Sequence, residues 1–79
     1  MTASEKKRIL RAKYLKPKEK LRSMRLANEY TTEYMASVIG LQRRQYEQKE
    51  AGKYPFNDYE MILLAKEFNT TVEDIFFEL

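Results

Sequence analysis

Residues 30–54, YTTEYMASVIGLQRRQYEQKEAGKY, hold two short helical patterns that meet at Gly40, and a second glycine, Gly52, closes the later one. Glycine reaches positive φ without steric cost, which suits a helix C-terminus or a tight turn. Before Gly40, Met35, Ala36 and Ile39 fall at helical spacing and make one buried face. Thr31 or Thr32 can cap that helix, because a threonine oxygen accepts a free backbone N–H of the first turn. After Gly40 the chain changes character. Residues 42–53, QRRQYEQKEAGK, are almost wholly polar, with Tyr46 as the main apolar anchor. A helix this polar does not serve to fill a core.

A helix, a short turn with glycine and a polar second helix form the helix-turn-helix pattern, whose second helix enters the DNA major groove. Leu21, Met24 and Arg25 precede the stretch, and Ala65, Phe68, Val72 and Ile75 follow it. With Met35-Ala36, Gly40-Leu41, Tyr46 and Glu50-x-Gly52-Lys53 in this order, the chain from about Leu21 to Phe76 resembles the Cro/CI-type (XRE-like) helix-turn-helix family. The resemblance implies an all-α, lambda-repressor-like five-helix bundle. Two positions depart from the family's pattern. Thr32 stands where a glutamine is usual near the start of the second helix, and Lys49 where an apolar residue usually precedes the Glu of Glu-x-Gly. The lysine implies altered packing, or an extra exposed cation, at the end of the recognition helix.

Composition narrows the classes. A chain of 79 residues makes one small domain with a limited core. It has no cysteine and no histidine, so it has no disulfide framework, no Cys-based metal site and neither the commonest general base nor the commonest metal ligand. With no phosphate-binding glycine loop or clustered carboxylates either, no enzyme, cofactor, metal or small-molecule substrate is expected. No apolar run approaches the ~20 residues of a membrane span, and no signal-peptide core appears. A cytoplasmic location is therefore expected. Net charge is +3, but residues 1–25 hold ten Lys/Arg against two Glu, while residues 26–79 hold five against ten Asp/Glu. That asymmetry points to a basic arm or patch with a polyanion as its partner.

In chain order, residues 1–16 read as a basic N-terminal arm or short extra helix, and residues 17–79 as the helix-turn-helix domain. Residues 1–4 are expected to be disordered, unless Ser4 caps a helix with a thin stripe of Ile9, Leu10, Tyr14 and Leu15. Pro17 suits the first turn of a new helix reaching about Asn28, with Leu21, Met24 and Leu26 as burial candidates. Helices follow over about 32–39 and 42–51, then a loop over 53–56. Asn57 or Asp58 caps the next helix, which buries Met61, Ile62, Leu64, Ala65 and Phe68. Thr71 caps the last, where Glu73 and Asp74 suit the helix dipole and Val72, Ile75 and Phe76 pack inward.

On a wheel of ~100° per residue, Arg43, Arg44, Glu47 and Gln48 share one broad face, and Tyr46 and Glu50 lie towards the opposite one. Arginine pairs bidentately with guanine and glutamine with adenine, while a carboxylate accepts from cytosine N4. The family resemblance implies that the positions of Arg43, Arg44 and Gln48 read base edges; Glu47 joins them as a base-contacting candidate or orients Arg43 or Arg44. Thr31, Thr32, Gln42, Lys53 and Tyr54 are phosphate-contacting candidates, joined by Lys6, Lys7 and Arg8 of the arm; the family places backbone contacts at the loop that holds Lys53. The resemblance also implies a structural ion pair between Arg25 and Glu50. Phe76, Phe77 and Leu79 put more apolar surface at the C-terminus than a five-residue helix can bury, which marks them as a dimer interface.

The expected function is a sequence-specific regulator of transcription that binds double-stranded DNA. It would be a repressor of the phage or mobile-element type, since the chain leaves no room for a ligand-sensing domain. A homodimer on a near-palindromic operator is the expected assembly. The alternative is a protein-interaction module on the same fold: an antirepressor, an antitoxin or an inhibitor of a host enzyme. RNA binding is disfavoured, because no β-sheet platform with stacking aromatics is present.

Overall fold

The computed structural model describes residues 1–77, so Leu79 lies outside the described residues. Within them the chain is all-helical: α1 (Ala3–Tyr14), α2 (Glu19–Ala27), α3 (Thr32–Val38), α4 (Arg43–Glu50), α5 (Asp58–Glu67) and α6 (Val72–Phe76). Helices α2 to α6 pack together: α3 lies against α4 and α5, α2 against α4 and α6, and α5 against α6. Among the described residues α1 packs on no other helix. No helix there is long and apolar enough to cross a membrane.

The core is Leu21, Met35, Ala36, Ile39, Tyr46, Phe56, Leu64, Ala65 and Ile75. Phe56 comes from the α4–α5 loop. Its ring sits 6.0 Å from Tyr46 and 5.5 Å from Phe76, so the loop supplies the plug between α4 and α6. Phe76 is half-buried and packs against the core, while Phe77 is exposed. Tyr30 turns inward between Tyr34 and Phe68, at 4.7 and 5.8 Å between ring centres.

Helix ends follow from local chemistry. Thr31 and Thr71 cap α3 and α6 through hydroxyls that accept from Tyr34 and Asp74 N–H at 3.0 and 3.1 Å. Glu60 reaches back to the Asn57 N–H at 2.8 Å, the side chain-to-cap half of a capping box at the start of α5. Four successive helices stop the same way. After α2, α3, α4 and α5 the residue beyond the cap takes positive φ: Glu29 (57°), Gly40 (73°), Gly52 (84°) and Asn69 (52°). The next N–H then bonds back across the last turn: Tyr30 to Arg25 O, Leu41 to Ala36 O, Lys53 to Gln48 O and Thr70 to Ala65 O. These are Schellman turns, which satisfy orphan carbonyls. Gly52 has a second reason to be glycine. A Cβ there would lie 2.6 Å from backbone atoms of Lys16 and Pro17, because the α1–α2 linker runs directly over the end of α4.

Several expectations need correction. Ala3 and Ser4 are helical, and Thr2, not Ser4, caps α1 by accepting the Glu5 N–H at 3.2 Å. Pro17 lies outside α2, whose cap is Lys18. Leu26 is exposed, since Leu21, Met24 and Arg25 occupy the inner face of α2 and Leu26 projects roughly opposite. Ile62 is exposed for the same reason on α5, where Glu60, Leu64 and Ala65 face inward.

Candidate nucleic-acid interface

The α3–turn–α4 unit presents one end of α4 to solvent and clamps the other. Arg43 and Arg44, in the first turn of α4, are exposed, and neither side chain makes an ion pair or hydrogen bond within the described residues. Gln42 precedes them as the cap, its N–H donating to Gln45 Oε1 at 3.0 Å. Gln45 is exposed, so the start of α4 shows two arginines flanked by two glutamines. Gln48, one turn on, is half-buried beside a shallow groove formed with Leu41, Gln45, Lys49, Tyr54 and Asn57.

The clamped end is a buried polar cluster. Arg25 Nε donates to Glu50 Oε2 at 2.9 Å and its Nη2 to Oε1 at 3.0 Å. Its Nη1 donates to the Tyr30 carbonyl at 3.1 Å. The Tyr46 hydroxyl donates to the same Glu50 carboxylate. All three side chains are buried. The hydrogen bond to Glu50 holds the Arg25 guanidinium above its ordinary pKa despite burial, and burial with the same carboxylate pushes the Tyr46 phenol well up. Arg25 thus stays charged and Tyr46 neutral, which a carboxylate accepting from both requires. The Glu50 carbonyl also accepts the Lys18 N–H at 2.9 Å, which fixes the linker to α4.

Lys49 does not project as an extra cation. Its Nζ donates to Glu60 Oε1 at 2.7 Å, and Glu60 has no exposed surface. The position that breaks the apolar pattern is therefore matched by a second irregularity, a glutamate on the inner face of α5. Sequence reading missed this pair because each residue reads alone as an ordinary solvated charge.

Glu47 also departs from expectation. It is half-buried, and its Oε2 accepts from the Thr32 hydroxyl at 2.7 Å. It ties the start of α3 to the middle of α4 rather than orienting Arg43 or Arg44. Thr32 is thereby occupied, and Thr31 is a helix cap. Both still lie at the α3 end that borders α4.

Lys53 and Tyr54, just past α4, are exposed. Arg11 of α1 reaches across to them: its Nη2 donates to the Lys53 carbonyl at 2.9 Å, and its guanidinium lies 5.9 Å from the centre of the Tyr54 ring. α1 is thus tethered beside the C-terminal end of α4, carrying exposed Lys6, Lys7, Arg8 and Lys13. Lys18 and Arg22 also lie beside α4. Arg22 and Lys18 border a groove with Glu47 and Ala51 on the α2 side of α4, and partial burial lowers the Lys18 pKa. No protein-family model, no curated protein and no solved structure matches the chain.

Proposed function

We propose that the protein binds double-stranded DNA with sequence preference, as a repressor-type regulator of the Cro/CI helix-turn-helix kind, with α4 in the major groove. The observation that carries this reading is the placement of Arg43 and Arg44. They are exposed and unpaired among the described residues, at the open end of a helix whose far end is held by the buried Arg25–Glu50–Tyr46 cluster. Unpaired arginines on a rigid element are what bidentate recognition of guanine requires. Gln48 and Gln45 flank them on the solvent side, while Glu47 is engaged with Thr32.

Lys53, the Tyr54 hydroxyl and the α1 cations then serve the phosphates, which set register without reading sequence. A homodimer on a near-palindromic operator follows as part of the same proposal. Selection of bound sequences from a random duplex library at physiological salt tests it. Enrichment of a motif, abolished by Arg43→Ala or Arg44→Ala, is the expected result. No enrichment would shift the reading to a protein-interaction module built on the same helices.

A further inference from the structure

α5 carries an apolar stripe on the wrong side. Tyr59, Ile62 and Leu63, spaced i, i+3, i+4, are 52%, 48% and 38% exposed, while the opposite face of the helix is in the core. On the wheel Lys66 joins them at i+7. Asp58 stands at the N-terminal end of this face and Lys66 near its C-terminal end, both exposed. Lys66 has no ion-pair partner within the described residues. Nothing among the described residues covers the stripe.

We infer that the outer face of α5 is a self-association surface on which a second copy of the chain docks antiparallel. The charge pattern selects this occupant. Antiparallel pairing about the middle of α5 sets the Ile62–Leu63 patch of one chain against the same patch of the other. It brings Lys66 of each chain level with Asp58 and Tyr59 of the other, so that each ammonium meets a carboxylate and an aromatic face. Two such pairings arise from one symmetry operation, and the two helix dipoles oppose. Parallel pairing would set Asp58 against Asp58 and Lys66 against Lys66. The other exposed apolar stripe, Ile9, Leu10 and Tyr14 on α1, does not fit a second copy of itself: its flanks carry Lys6, Lys7, Arg8, Arg11 and Lys13 against one glutamate, so like charges would meet. Among the described residues at the C-terminal end, Phe77 is the exposed large apolar side chain.

One helix face is small beside the ~800 Å² per partner of a standard stable interface. Pairing is therefore weak in free solution and consolidated when two copies occupy adjacent half-sites, where the effective concentration is high. The DNA arm of the test rests on the proposed function, and the sedimentation arm does not.

Sedimentation of the full chain across micromolar to millimolar concentration reads the first arm. Ile62→Glu is expected to weaken association by about tenfold or more. Asp58→Lys and Lys66→Asp should each weaken it, and the Asp58→Lys/Lys66→Asp double variant should restore it. Because all three positions are exposed, unchanged melting temperatures check that the fold is intact. In the second arm, Ile62→Glu should abolish cooperative binding to a two-half-site duplex and leave single half-site affinity within about twofold. The inference is overturned if the wild type shows no association in either arm, if Ile62→Glu leaves association unchanged, if the double variant fails to restore it, or if Phe77→Glu or Leu10→Glu alone removes it. Should the wild type bind no duplex at all, the DNA reading fails, and sedimentation alone decides the α5 face.

Discussion

The ammonium of Lys49 lies 2.7 Å from a carboxylate oxygen of Glu60, a residue with no exposed surface, and this pair joins α4 to α5. The other Glu60 oxygen, Oε2, is buried without a hydrogen-bond partner among the described residues. Removing one charge strands the other, at a cost of about 3–5 kcal/mol, whereas replacing both is near neutral. Lys49→Ile alone should therefore destabilise strongly. Lys49→Ile/Glu60→Gln should recover most of that stability, because glutamine still accepts from the Asn57 N–H. Urea unfolding of the four proteins of the cycle measures this. Equal destabilisation by the single and double variants would show that the pair is not the relevant coupling.

Arg25 and Glu50 form the second tether, and theirs is bidentate. Glu50→Ala leaves Arg25 and the Tyr46 hydroxyl without their acceptor, so a loss of about 3–5 kcal/mol is expected. Arg25→Ala/Glu50→Ala should cost much less than the sum of its single changes. Independent, near-zero effects in a denaturation cycle would remove the clamp from the account of α4.

If the protein binds DNA as proposed, base readout should separate from phosphate binding. Arg43→Ala or Arg44→Ala should cost about 1–3 kcal/mol of binding and relax preference at one base pair per half-site. Lys53→Ala should weaken all sequences about equally. Binding-site selection with each variant reads the difference. An altered consensus from Lys53→Ala, with the arginine variants unchanged, reverses the assignment.

α1 has no buried residue. Its removal is expected to leave the melting temperature nearly unchanged. Its cations act at a distance from the core, so Lys6→Gln/Lys7→Gln/Arg8→Gln should flatten the log–log salt dependence of DNA binding by up to about 2.7, at ~0.9 for each phosphate that is no longer neutralised. The selected half-site should not change. A constant slope in a salt titration by fluorescence anisotropy would place these cations off the DNA.

Glu29 holds φ 57° at the end of α2, a conformation that costs a residue with a Cβ about 1–2 kcal/mol. Glu29→Gly relieves that cost but frees the unfolded chain, so a net gain of about 0.5–1 kcal/mol is expected. The converse holds at Gly52, where positive φ and the close approach of Lys16 and Pro17 coincide. Gly52→Ala should destabilise by more than Gly40→Ala, because a Cβ at Gly40 meets nothing within 4 Å. Thermal melts of the three variants check the order.

What the sequence determined alone was everything set by short-range periodicity and end chemistry. The two glycines, a cap at Thr31 or Thr32, one at Asn57 or Asp58 and one at Thr71 placed α3 to α6 to within a residue or two, because capping and positive φ are local requirements. The inward turn of Tyr46 followed from the polarity of everything around it. Tertiary structure decided which charges are inside. Glu47, Lys49 and Glu60 look like solvated helix positions until α3, α4 and α5 are brought together, and the pairing of Lys49 with Glu60 spans a turn whose path no local rule gives. It also decided which apolar residues lack a cover. Ile62 fits a buried face by type, but the inner face of α5 is already filled by Leu64, Ala65 and the buried Glu60, and packing admits only one side of a helix. Arg11 reaches the Lys53 carbonyl only because the linker crosses α4 at Gly52, a meeting of segments far apart in the chain that periodicity cannot express.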